Sequence, residues 1–256
     1  CLDGRLVVVD CGLGVTRGLV DQGMQLEALS LIFITHLHSD HYLELGPLIH
    51  TAWTTGLKTP VVVYGPVGLE DYWQAFLTSM AADIVLRIED EGRVDLAGLV
   101  EFRTIEAGSV HQEEGLDVTA MRVVHPPLVD CFALRFAGAG RTVVMSGDTA
   151  YLPELAAFAR AADLLVHEAM LAAALPALVA RVGTSNDKLM NHLTRSHTTA
   201  GDAARIAAAA GVGALALHHL IPSDDPDYTP DDWQAAVSQH WSGPFHLGRD
   251  GLRIPL

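Results

Sequence analysis

The chain has 256 residues and a mass of 27.4 kDa; half of the residues are hydrophobic, and 31 acidic against 16 basic side chains give a formal charge of −15. That length carries one large domain or two small ones, and a mean hydropathy of +0.26 supplies a substantial core. The apolar runs are broken by charge, glycine or proline before they reach bilayer length, which excludes a helical membrane span, and the acidic balance argues against long RNA or DNA as a partner, because phosphate neutralisation supplies most non-specific affinity.

Residues 6–9 form a continuous apolar strand, closed by Asp10-Cys11-Gly12-Leu13-Gly14. A helix is expected over 16–22, a strand over 31–35, a helix over 42–54 and a strand over 61–64. The turn at 65–68 leads into an amphipathic helix over 69–80, where Leu69, Tyr72, Trp73, Phe76 and Leu77 keep helical spacing. From 84 to 124 the pattern reads as short strands between Glu, Asp and Gly turns, followed by a hairpin of 132–136 with 142–145. Helices near 153–162, 170–182 and 199–210 then alternate with buried strands at 164–166 and 214–217. Two sheets packed face to face with helices outside suit this order, in a single domain over 1–256. The chain opens without methionine and its start reads as the inside of a β-hairpin, so the first strand is read as incomplete. A cytoplasmic protein is the expectation, with an exported form and a removed signal peptide left open. Cys1, Cys11 and Cys131 make neither a CxxC knot nor an even disulfide set, and the latter two read as buried thiols.

The densest chemistry lies just past the second strand, in Thr35-His36-Leu37-His38-Ser39-Asp40-His41. Imidazole and carboxylate are the donors that divalent ions such as Zn²⁺ take. Residues two apart in an extended segment point the same way, so His36 and His38 can converge on one ion. Asp40 and His41, past the turn, can reach a second. A two-ion site needs further donors, and three other strand ends offer them. His125 precedes Pro126-Pro127, which turn the chain out of the sheet. Asp148 follows the strand at 142–145, and its two oxygens can bridge two ions. His219, with His218 beside it, ends the strand at 214–217. Each alone would pass for a loop residue or a helix cap. Ligand-type residues repeated at strand ends instead suggest a rigid sheet organising a metal centre.

With these strings in place, the chain resembles the metallo-β-lactamase superfamily, whose HxHxDH motif is met by His36, His38, Asp40 and His41. Within it, VVVDCGLG, VVMSGDT, LLVHEAM and SHTTAGDA resemble the ribonuclease Z (tRNA 3′-processing) and arylsulfatase-like branch, over most of the chain. The resemblance implies a four-layer αββα sandwich, often a homodimer. It implies one metal held by His36, His38 and His125, a second held by Asp40, His41 and His219, and Asp148 bridging them. Two Zn²⁺ ions are the expected cofactors, with Mn²⁺ or Fe²⁺ able to use the same donors. The implied chemistry is hydrolysis by a metal-bound hydroxide that Asp40 helps to orient. His197 and Glu168 match the branch's histidine and glutamate, which implies that His197 binds a phosphoryl oxygen or protonates the leaving group while Glu168 fixes its orientation. His167 reads as structural, and His192 lies near His197 in sequence.

Ribonuclease Z proteins usually carry a long basic arm between the third ligand motif and the bridging aspartate, whereas 126–147 leaves room for only a loop and a hairpin. With the acidic charge, this favours a phosphodiesterase acting on a small anionic phosphate ester. The alternatives are tRNA 3′ processing, aryl sulfate hydrolysis, and lactone or β-lactam hydrolysis. A non-catalytic metal-binding module is the reading from a different class.

Overall fold

A computed structural model describes residues 5–182 and 186–256. Two compact units make up the chain, Cys1–Glu106 and Ala107–Leu256.

The first unit is built on a four-stranded, all-parallel sheet in the order β1 (Leu6–Val9), β2 (Leu29–Phe33), β3 (Val61–Gly65) and β4 (Val100–Thr104). Parallel strands covered on both faces need near-continuous apolar runs, and LVVV and VVVYG supply them. The connections carry α1 (Val15–Asp21), α2 (Ser39–Tyr42), α3 (Leu45–Thr55) and α4 (Leu69–Glu91). Ile32, Ile34, Leu48, Ile49, Trp53, Val63 and Trp73 form its core. The helix expected over 42–54 is broken in two at Leu43 and Glu44, so that Asp40 and His41 fall in a short helix of their own. The amphipathic helix expected to stop at 80 runs on to Glu91, and the expected strands beyond 84 begin only at β4. No proline or glycine interrupts residues 81–91, and the i,i+4 pairs Arg87–Asp83 and Arg87–Glu91 support the extra turns. The helix ends where Gly92 adopts φ 65°, a left-handed cap that glycine takes without strain.

The second unit holds a seven-stranded mixed sheet in the order β11-β10-β9-β8-β7-β6-β5. Its strands are β5 (Gly108–Glu113), β6 (Leu116–Arg122), β7 (Phe132–Gly138), β8 (Arg141–Met145), β9 (Leu164–Met170), β10 (Ala214–Ile221) and β11 (Phe245–Leu247). β5 to β8 pair antiparallel as a meander, with the expected hairpin joining β7 and β8; β8 to β11 pair in parallel. Helices α5 (Leu155–Phe158), α6 (Leu175–Val182), α7 (Asn186–Ser196), α8 (Ala200–Ala210) and α9 (Pro230–Ser238) complete it. The alanines of α8 pack with Leu165, Leu215, Leu217 and Trp233, small side chains that let a helix lie close to a sheet. Both buried strands are longer than the sequence suggests: β9 runs through His167 and Glu168, and β10 through His218 and His219. The hairpin expected at the chain start falls on residues 1–4, outside the described residues. Among the described residues, no helix is long and apolar enough to cross a membrane.

His167 is fully buried in β9, its Nδ1 2.6 Å from the Glu168 carbonyl oxygen, and burial holds its pKa down to about 4. The unfolded ring takes up a proton near pH 6.5, the folded one only near pH 4. Stability is therefore fully present above pH 6.5 and falls as the pH drops towards 4, by about 3 kcal/mol from this ring. Comparing urea denaturation at about pH 7 and about pH 5 should show this loss, and His167→Asn should reduce it.

Candidate metal centre

In the first unit, the parallel sheet delivers the donors from the loop after β2. Asp10 closes β1 in a left-handed conformation, φ 59°, rare for a residue with a side chain. Its carboxylate accepts hydrogen bonds from the Thr35 backbone N–H (2.7 Å), the Thr35 hydroxyl (2.9 Å) and His41 Nδ1 (2.7 Å). Because a carboxylate only accepts, His41 must carry its proton on Nδ1, leaving the Nε2 lone pair for an ion. The Thr35 hydroxyl spends its one proton on Asp10, so it accepts from His36 Nδ1 at 3.0 Å and leaves His36 Nε2 in the same state. The rings of His36 and His38 lie 5.0 Å apart, those of His36 and His41 3.9 Å, and Asp40 Oδ2 is 3.6 Å from His41 Nε2. The expected His36, His38, Asp40 and His41 are thus brought together.

The loop after β1 holds this motif in place. Cys11 N–H donates to the His41 carbonyl, and Glu44 N–H to the Cys11 carbonyl. A Cβ on Gly12 would overlap the Asp40 carbonyl oxygen, so the close approach of the two loops requires glycine. Burial raises the thiol pKa of Cys11, as it does that of Cys131, pushed up to about 12, in keeping with buried, unreactive thiols.

In the second unit, His125 follows β6 and its Nδ1 donates to the Ser196 carbonyl at 2.7 Å, again leaving Nε2 to bind. Asp148, in the loop after β8, is buried, with Oδ2 3.3 Å from His219 Nε2 and 3.8 Å from His125 Nε2. His219 lies inside β10 rather than past its end. The pairing with β9 shifts between His218 and Leu220, and this bulge, with φ 46° at His219, re-aims the ring. Glu168 is 0 % exposed within β9. Its Oε1 accepts from the backbone N–H of Thr149 (3.0 Å) and Thr198 (3.2 Å) and lies 3.1 Å from His197 Nδ1. Burial first, and the Asp148 charge second, raise its pKa well above the usual carboxylate range. The His197 ring sits 5.0 Å from that of His125 and 5.7 Å from that of His219.

Ligand atoms of His125, Asp148 and His197 lie within 4.8 Å of one another, as do those of Glu168, His197 and His219. Nitrogen and carboxylate donors at this spacing fit a divalent cation. The sequence reading missed the groups behind the donors: Asp10, the Thr35 hydroxyl and the Ser196 carbonyl. Asp10 alone carried a signal, since it too is a ligand-type residue closing an apolar strand.

Residues 1–197 match the family of Anti-Pycsar protein Apyc1. Ribonuclease Z of Mycobacterium sp. (strain KMS) is 30% identical over 255 residues, covering 99% of this chain and 87% of that protein. The chain belongs to the Apyc1 and ribonuclease Z family. Solved structures agree on the fold. The metallo-β-lactamase fold protein YhfI from Bacillus subtilis aligns with a TM-score of 0.70 at 22% identity, over 97% of this chain and 86% of its own. Human tRNase Z, short form, aligns with a TM-score of 0.67 at 22% identity, over all of this chain and 91% of its own. The chain is a metal-dependent hydrolase with the metallo-β-lactamase fold. The expectation that long nucleic acid is a disfavoured partner is overturned, because a relative matched along nearly its whole length is a ribonuclease. A net charge sums the whole surface, whereas a polyanion is gripped by local groups.

Proposed function

We propose that the chain is a binuclear, metal-dependent phosphodiesterase of the ribonuclease Z type, cleaving RNA at the 3′ side of tRNA precursors. The observation that carries the reading is the buried Glu168–His197 pair, 3.1 Å apart in a sheet that also presents His125, Asp148 and His219. In the family pattern, His36, His38 and His125 would hold one divalent cation and Asp40, His41 and His219 a second, with Asp148 shared between them; Zn²⁺ is the ion these donors suit best. When bound, the two ions supply Lewis acidity to water and to the scissile phosphate. Asp40 accepts a hydrogen bond from the attacking water and so aims it. His197, held at Nδ1 by Glu168, presents Nε2 to the leaving oxygen and gives it a proton. No serine or cysteine nucleophile is needed. The cytoplasm is the compartment this reading implies.

A second substrate class, small phosphodiesters, is favoured by the compact path from His125 to Asp148, which holds only a short loop and the β7–β8 hairpin. Metal analysis of protein purified without chelator, with parallel assays on a tRNA precursor and an aryl phosphodiester, tests both. About two ions per chain and a product with a mature 3′ end are expected, by the two-ion logic of such sites. Hydrolysis of the aryl diester without any RNA cleavage would overturn the RNA reading, and no metal-restored hydrolysis of either would overturn the phosphodiesterase.

A further inference from the structure

Helix α7 ends at the catalytic cluster of the second unit and is fixed there. The Ser196 carbonyl accepts a hydrogen bond from His125 Nδ1, the Ser196 hydroxyl donates to the Pro126 carbonyl at 2.8 Å, and His197 N–H donates to the Leu193 carbonyl. One flank of the helix is apolar: Leu193 packs with Met170, Leu175 and Val179, and Leu189 and Met190 join them. That contact sets which residues face outward. Lys188, His192 and Arg195, spaced i, i+4 and i+7, share a different stripe of the helix. His192 is half-buried, its ring 5.8 Å from that of His197 and 6.1 Å from that of His125, so the stripe runs from solvent to the cluster.

Helix stability does not explain both of its cations. Arg195, in the last turn, complements the helix dipole; Lys188, in the first, opposes it. Neither meets a carboxylate among the described residues, whereas Arg17, Arg87, Arg141 and Arg181 are each tied to an aspartate. Two uncommitted cations on one face are notable on a chain of charge −15, which otherwise repels a polyanion. The rise of an α-helix puts them about 10 Å apart along the axis, a span that reaches more than one phosphate of a strand.

We propose that the Lys188–His192–Arg195 stripe of α7 is a docking surface for the RNA backbone, guiding the strand towards His125 and His197. It rests on the RNA-cleaving reading above and supplies a phosphate grip local to the site. The experiment uses the metal-loaded enzyme and a fluorescently labelled tRNA precursor, with affinity read by anisotropy over a range of salt concentrations. Lys188→Ala/Arg195→Ala should weaken binding about 10-fold or more, and lower the slope of log K against log salt by about 1.4, since each lost phosphate contact removes about 0.7. The charge-preserving Lys188→Arg/Arg195→Lys should bind as the parent does, and unchanged melting temperature and metal content would confirm an intact fold. Parental affinity and salt slope in the double alanine variant would overturn the stripe alone. A parent enzyme that cleaves an aryl phosphodiester but neither binds nor cleaves the precursor would overturn the RNA reading and the stripe together.

Discussion

Asp148→Asn should lower phosphodiester hydrolysis by at least about 10³-fold, the scale expected when a two-ion centre loses its shared ligand. The carboxylate is 2 % exposed and its Oδ2 lies within 3.3 Å of His219 Nε2 and 3.8 Å of His125 Nε2. Asparagine keeps the shape but removes the charge, and its amide nitrogen cannot donate a lone pair to an ion. The variant should therefore bind fewer ions per chain. Its metal-free form should be at least as stable as the parent, because the amide does not carry a buried negative charge. The added melting temperature that metal gives the parent should shrink, since a ligand stabilises only as far as it binds the folded state. Titrating zinc into chelator-treated protein, with melting and turnover followed together, reads all three effects. Parental metal content with parental activity would show that Asp148 does not bridge.

His197→Ala should produce a different signature. Turnover should fall about 10²- to 10⁴-fold, the usual worth of a positioned acid or base, while metal content stays at the parental level. The geometry motivates this split. His197 Nδ1 is engaged by Glu168 Oε1 at 3.1 Å, which orients the ring and leaves Nε2 for the proposed proton transfer. An aryl diester with an acidic phenol as leaving group needs little protonation, and its hydrolysis should suffer much less than that of RNA. Glu168→Gln should give a smaller loss with the same leaving-group trend, because an amide can accept from His197 but holds it less firmly. Metal loss in His197→Ala would instead make His197 a ligand, and an equal loss on both substrates would rule out proton donation.

The candidate donors were legible because their chemistry is local. Three histidines and an aspartate fall within Thr35–His41, and His125 and Asp148 follow recognisable strands. What escaped was whatever depends on distant partners. Asp10 serves His41 from 31 residues away, and the Ser196 carbonyl serves His125 from 71 away, the latter through a backbone atom that no side-chain pattern encodes. The extra turns of α4 were missed because Ile84, Val85 and Leu86 read equally well as a strand; the helical period shows in Arg87 reaching both Asp83 and Glu91 and in Met80, Ile84 and Ile88 packing on one core. Glu168 was placed after a strand and His219 at the end of one; both lie inside longer strands, where burial for Glu168 and a bulge for His219 decide their behaviour.

The left-handed backbone at His219 sets function against stability at one position. A histidine is held at φ 46° where glycine or asparagine would rest more easily. The imidazole there stacks on the ring of His197 and sets its Nε2 3.3 Å from Asp148 Oδ2, contacts that serve the proposed metal centre. In descendants of this chain that have abandoned hydrolysis, residue 219 should be among the first to drift, and the drift should leave a sturdier fold.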